Sequence, residues 1–155
     1  MRRTVVALTV AAFVERVGTE LGVSDWVDVS QQRINTFADV SEDHQYIHVD
    51  LEKARATPFG GTIAHGLLTL AFLPHFKNQI VPDIDGVTMD INYGYNKIRF
   101  LSPVKSGQRV RGRFLLKSAD TSRAGRLTST YEVTVEIEDE DKPALIAEWV
   151  MMQVF

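Results

Sequence analysis

Between positions 43 and 50 the chain reads Asp43-His44-Gln45-Tyr46-Ile47-His48-Val49-Asp50. A carboxylate can hold a water molecule, and an imidazole can take its proton near neutral pH. A pair made of Asp43 and His48 can therefore add water to a substrate or remove it. The same residue types also permit a bland reading, in which Asp43 caps a turn and His48 is a satisfied structural imidazole. His44 and His48 share the H-x-x-x-H spacing of a helical zinc pair, but Gln45 stands where the glutamate of such a motif would be. No third ligand is apparent, so the sequence predicts neither a metal nor any other cofactor.

The elements on either side must hold this segment. Ser30 is a good N-cap for Gln31 to Val40, where Ile34, Phe37 and Ala38 fall at i, i+3 and i+4, the stripe of a short amphipathic helix. Asp50 is an equally good cap for Leu51 to Ala56, which Pro58 and Gly60-Gly61 terminate. The acid and imidazole cluster is thus expected in a non-helical stretch pinned at both ends. Thr62 can cap Ile63 to Phe76, a run of Leu, Ala, Ile and Phe so apolar all round that it belongs in an interior. The period then changes to two: Tyr131, Val133, Val135 and Ile137 alternate with Glu132, Thr134, Glu136 and Glu138. Similar strands are expected at Arg109 to Lys117, Val87 to Tyr93, Lys97 to Phe100, Ala144 to Val154 and Trp26 to Val29. Helices first and strands later predict an α+β fold with an antiparallel sheet wrapped around the apolar helix.

The 155 residues suit one domain spanning 1–155, and a composition of 45% hydrophobic and 24% charged residues is that of a folded globular chain. With no cysteine, disulfides, thiolate nucleophiles and Cys-ligated zinc are excluded, and a reducing cytoplasm is compatible. A net charge of −3 gives no general attraction to nucleic acid, and no apolar run reaches the ~18 residues of a membrane span. Met1-Arg2-Arg3 before Thr4 to Val14 has the charge and apolar run of a secretory leader. No A-x-A site follows and Glu15-Arg16 restores polarity, so residues 1–17 are expected to form a helix packed on the domain.

Several blocks carry a resemblance. They are Phe37-Ala38, Ser41-Glu42-Asp43-His44-Gln45-Tyr46-Ile47-His48-Val49-Asp50, Pro58-Phe59-Gly60, Ile63-Ala64-His65-Gly66-Leu67, Asn92-Tyr93-Gly94, Asn96-Lys97-Ile98-Arg99-Phe100 and Pro103-Val104. In this order the chain resembles the MaoC-like family of hotdog-fold (R)-specific enoyl-CoA hydratases and dehydratases, from about Gly18 to the C-terminus. That family usually has glycine before the aspartate and asparagine-proline before the aliphatic residue and histidine. Glu42 and Gln45-Tyr46 depart from this pattern, while the Asp-to-His spacing and Ile47 keep it. Glu42 adds a negative charge beside Asp43.

The resemblance implies that Asp43 and His48 contact the water added across an α,β-unsaturated thioester, with His48 taking its proton and Asp43 supplying one at the neighbouring carbon. It implies a backbone N–H at Gly66 as the donor to the thioester oxygen, where negative charge develops; the alternative for Gly66 is tight helix packing. His65 either lines the pocket or supports the site. Residues 91–119 hold Lys97, Arg99, Lys105, Arg109, Arg111, Arg113 and Lys117 and no acid. This suits the phosphates of a CoA or acyl-carrier-protein substrate, and equally the solvated face of two strands. Lys97 and Arg99, with Asn92 and Asn96, are the substrate-binding candidates. A homodimer pairing sheet edges, in the cytoplasm and in fatty acid metabolism, is the expected assembly. A hotdog acyl-CoA thioesterase and a non-catalytic acyl-binding subunit are the competing functions.

Overall fold

The computed structural model describes residues 7–155. The elements run α1 (Val10–Val14), β1 (Glu20–Val23), β2 (Val27–Asp28), α2 (Gln31–Ser41), α3 (Tyr46–Val49), α4 (Leu51–Arg55), α5 (Gly66–Ala71), α6 (Leu73–Ile80), β3 (Met89–Phe100), β4 (Arg109–Asp120), β5 (Arg126–Ile137) and β6 (Leu145–Val154). The six strands form one antiparallel sheet in the order β1-β4-β5-β6-β3, with β2 also paired to β4. Strand β3 therefore lies at one edge.

Period-two alternation decides which face is covered. Val110, Phe114 and Leu116 of β4, Leu127, Tyr131, Val133 and Val135 of β5, and Leu145, Ala147 and Trp149 of β6 are buried and share the face that receives the helices. Phe114, Tyr131 and Trp149 form an aromatic cluster with centroids 6.0 to 6.3 Å apart, and Tyr95 of β3 stacks on Trp149 from the side. Leu73 and Phe76 of α6 are fully buried in the same cluster of core residues. Lys77 of α6 pairs with Asp90 of β3, whose other oxygen accepts from Gln153 of β6, which in turn accepts from Ser129 of β5. This polar chain ties the helix to three strands.

The opposite face carries the charges. Arg109 pairs with Glu138, Arg111 and Arg113 with Glu136, Arg113 also with Glu20, and Lys117 with Glu148. The acid-free stretch of sequence is thus largely neutralised by acids from other elements. Such exposed pairs contribute about 0–1 kcal/mol each, so this face keeps the sheet solvated more than it stabilises it.

Several boundaries differ from the sequence expectation. The apolar run does not form one helix from Ile63. Ile63 N–H donates to Ile47, Ala64 N–H to Val104, and Ile63 bridges Lys105, so this stretch is extended and Thr62 caps nothing. The helix starts at Gly66 and is interrupted at Phe72, because Pro74 has no N–H to continue the ladder. The two strands expected at 87–93 and 97–100 are one strand with two irregularities. The N-terminal helix expected over residues 1–17 is a single turn, Val10–Val14, capped by Thr9, with Phe13 in the core; residues 1–6 of that expectation lie outside the described residues. Strand β1, which was not expected, pairs with β4 despite Gly22.

Gly112 of β4 lets α6 approach the sheet: a Cβ there would lie 2.7 Å from Phe76 Cδ2 and 2.9 Å from Phe114 Cε2. Gly112→Ala is therefore expected to destabilise the fold by about 1–3 kcal/mol through overpacking, measured by denaturant unfolding at unchanged m-value.

Candidate active site

Helix α2 is capped at its start as expected, Ser30 Oγ accepting from Arg33 N–H. It ends at Glu42, whose φ of 59° is left-handed. That conformation favours glycine and costs another residue roughly 1–2 kcal/mol. The glycine usual here in the resembled family thus has a backbone reason, and Glu42 adopts the conformation in its place. The turn delivers Asp43 to the surface, where its carboxylate accepts from Gln45 N–H at 3.3 Å.

His48 lies within the one-turn helix α3 rather than in a non-helical loop, and is buried. Its Nδ1 is 2.7 Å from the carbonyl oxygen of Ile63. A carbonyl can only accept, so Nδ1 carries the proton and Nε2 keeps a bare lone pair. Burial holds the imidazole below the ordinary value of 6.5, assisted by the adjacent His65 and opposed by the Ile63 carbonyl and by Asp43. The result is an imidazole biased towards its neutral form, with Nε2 able to accept a hydrogen bond.

His65 ends the extended stretch and sits directly before α5. Its ring stacks on His48 with centroids 3.8 Å apart and tilts against Phe37 at 5.0 Å. Its Nε2 donates to the backbone carbonyl of Asp43 at 2.9 Å, while Nδ1 is buried without a partner. One donor atom from each of Asp43, His48 and His65 lies within 4.8 Å of the others. Two groups that share a water at ordinary hydrogen-bond lengths can be at most ~5.6 Å apart, so one water can bridge Asp43 and His48. These three are also the described residues whose donor spacing could admit a metal ion. The zinc pair weighed in sequence does not form, because His44 turns outward to Asp39 at 2.9 Å.

Beside this cluster lies a cleft of about 390 Å³ lined by His48, Phe59, Gly66, Leu67, Phe100 and Pro103 among others. Helix α5 begins here with no side chain capping its first turn, which leaves the N–H groups of Gly66 and Leu67, two residues that line the cleft, without a partner inside the helix. Gly66 is needed for packing as well: a Cβ would meet the Phe100 ring at 2.8 Å. The cleft is mostly apolar, with His48 as its titratable group.

The structure brings together Asp43, His48, His65 and Gly66. The β3 candidates it sets apart. Asn92 accepts from the buried Trp149 indole at 2.8 Å, and Asn96 donates to Glu148 at 2.7 Å. Lys97 stands opposite Glu148, on the face away from Trp149, and Arg99 donates to the carbonyl of Ile98. Among the described residues Lys97, Arg99 and Lys105 are the members of the basic run not paired with a carboxylate. Sequence reading missed Gln31, whose amide reaches His48 and Thr62. A polar residue at the first helical position looks like ordinary solvent-facing composition, so only the tertiary contact exposes it.

A long antiparallel sheet packed on an interrupted apolar helix, with an acid and a histidine before that helix, defines a single hotdog domain. The unliganded R-hydratase PhaJ1 from Pseudomonas aeruginosa superposes with a TM-score of 0.73 at 22% identity, over 96% of this chain and 86% of that one. The (R)-hydratase from A. caviae involved in PHA biosynthesis gives 0.68 at 23% identity, over 87% and 94%. At the level of sequence, the family model described as MaoC like domain matches residues 12–140, and the chain belongs to this family of dehydratases and hydratases. It is 50% identical over 149 residues to Nodulation protein N of Rhizobium leguminosarum bv. viciae, covering 96% of this chain and 92% of that protein. It is 45% identical over 146 residues to 3-hydroxyacyl-thioester dehydratase Z of Mycobacterium tuberculosis (strain ATCC 25618 / H37Rv), covering 94% and 96%. By class the chain is a hydro-lyase. Among the described residues no helix is long and apolar enough to cross a membrane.

The depressed His48 value has a measurable sign. Below pH 6.5 the unfolded chain takes up a proton on this side chain that the folded chain does not, so stability falls as pH drops from 6.5 towards the folded midpoint. A histidine-ring NMR titration is expected to place the His48 midpoint below 6.5. His48→Asn is expected to flatten the stability slope in that window.

Proposed function

We propose that the protein is an (R)-specific 2-enoyl-CoA hydratase, acting in reverse as a 3-hydroxyacyl-thioester dehydratase. The observation that carries this reading is the bare Nε2 of His48, fixed by the Ile63 carbonyl, on a ring that has one nitrogen within 4.8 Å of an Asp43 carboxylate oxygen. Water is bound between the two groups. His48 Nε2 takes one of its protons, the oxygen bonds to C3 of the enoyl thioester, and the displaced electron pair moves through C2 to the thioester oxygen. The proton taken by His48 passes through water to the Asp43 carboxylate and from there to C2, which returns both groups to their starting forms and closes the cycle. Dehydration follows the same steps backwards.

Gly66 N–H, at the uncapped start of α5, meets the thioester oxygen as charge develops there. The cleft under Phe100 receives the thioester, and His65 holds the Asp43 carbonyl so that the carboxylate faces His48. Lys97 and Arg99, the unpaired cations of β3, meet the phosphates of CoA or of a carrier-protein arm. The relationship to a 3-hydroxyacyl-thioester dehydratase supports the substrate class.

Purified protein given a trans-2-enoyl-CoA is expected to remove the conjugated absorbance without releasing CoA thiol, and chiral analysis to return the (R)-3-hydroxyacyl product. Thiol release without that product would mean a thioesterase instead. Asp43→Asn and His48→Asn are each expected to lower kcat by about 10²–10⁴ with modest change in KM, since each keeps its size and loses proton transfer.

Edge strand β3 exposes Met89, Tyr93 and Phe100, an apolar edge that a second copy would cover by continuing the sheet. Sedimentation at micromolar concentration is expected to give twice the mass of the chain.

A further inference from the structure

The segment carrying His48 and the segment carrying Ile63 belong to different parts of the chain, and one side chain bonds to both. Gln31, the first residue of α2, accepts a hydrogen bond from Thr62 Oγ1 at 2.5 Å and donates from Nε2 to the backbone carbonyl of His48 at 2.8 Å. The same nitrogen donates to Asn35 Oδ1 at 2.9 Å, one turn further along the helix. Two acceptors around Nε2 and a hydroxyl donor at Oε1 leave the amide one orientation. Thr62 is 3% exposed, and its own carbonyl accepts from Ser106 N–H. Gln31 therefore grips a buried hydroxyl one residue before the Ile63 carbonyl and the main chain of the imidazole residue itself.

We infer that Gln31 is a positioning residue for the water-activating imidazole. It clamps the Thr62–Ile63 backbone to the His48 backbone so that His48 Nδ1 stays protonated and Nε2 stays bare. The inference rests on the hydratase reading of the same site. Its physical content is the distance between two backbone segments. Ile63 N–H to Ile47 and His48 Nδ1–H to Ile63 already join them, and the Gln31 amide bridges the open side of that pairing. Without it His48 keeps its burial, but the carbonyl that selects its tautomer is free to move. A ring that spends time protonated on Nε2 presents a donor to the water and cannot act as its base.

The test combines nitrogen-15 spectra of the histidine rings with turnover of a 2-enoyl-CoA. Gln31→Met keeps the shape and removes all three hydrogen bonds. It is expected to lower kcat about tenfold with KM within about twofold, and to bring an Nε2–H population into the His48 ring spectrum, where wild type shows Nδ1–H alone. Gln31→Glu keeps the acceptor for Thr62 and places a carboxylate against the His48 carbonyl. It is expected to move the acid limb of the kcat profile upward, a shift that loss of stability alone does not produce. If Gln31→Met does not fold, Thr62→Val releases the amide from its other end and Thr62→Ser restores it, and the same two readouts apply. Unmoved ring resonances with lowered kcat overturn the inference. So do altered resonances with kcat intact, or no change in either. A wild-type protein without hydratase activity would refute the functional reading, and the ring resonances alone would then decide whether the clamp exists.

Discussion

The hydrogen bond from His48 Nδ1 to the Ile63 carbonyl organises the rest of the site. Its length of 2.7 Å and its burial fix which ring nitrogen is bare, and a base must be bare before it can be basic. Everything around it serves the two ends of that bond. The carbonyl end is held because Ile63 and Ala64 are drawn out between Ile47 and Val104. The imidazole end is held because α3 is one turn long, wedged between α2 and α4, with the His65 ring laid flat against it. Three chain segments thus meet at one imidazole.

Burial and charge play separate parts. The apolar surroundings of His48 disfavour its charged form, which keeps it ready to accept a proton. The arginine and lysine ion pairs are elsewhere, on the far face of the sheet, where Arg111 and Arg113 share Glu136 and Lys117 reaches Glu148. This division keeps the charged pairs on one face of the sheet and the apolar cleft away from them. The polar chain from Lys77 through Asp90 and Gln153 to Ser129 crosses the division at one place, and it fixes how α6 sits against the strands.

Much of this was legible in sequence, and for physical reasons. Strong period-two alternation in β4, β5 and β6 leaves one choice of face, and local capping chemistry marks Ser30 and Asp50. That Asp43 and His48 lie close together was readable from their spacing of five and from the resemblance carried by the blocks on either side. What was not readable depends on tertiary bonds. Ile63 to His65 look helical by composition and are extended because the carbonyls of Ile47 in α3 and of Val104 claim the Ile63 and Ala64 N–H groups. The interruption at Phe72 was signalled by Pro74, a local cue outweighed by the apolar run. The seven basic residues fitted a phosphate-binding surface and a solvated strand face equally well in sequence, because the acids that pair with four of them, Arg109, Arg111, Arg113 and Lys117, are distant in the chain. Glu42 looked electrostatic in sequence, and its left-handed backbone is what the structure adds.

Phe100 touches two levels of organisation at once. It is the last residue of the edge strand, and its ring occupies the space left by the missing side chain of Gly66. The wall of the cleft and the rim of the sheet are therefore the same object. A lever so short needs no relay of intermediate residues: whatever registers along that rim is felt at the cleft within the breadth of one benzene ring.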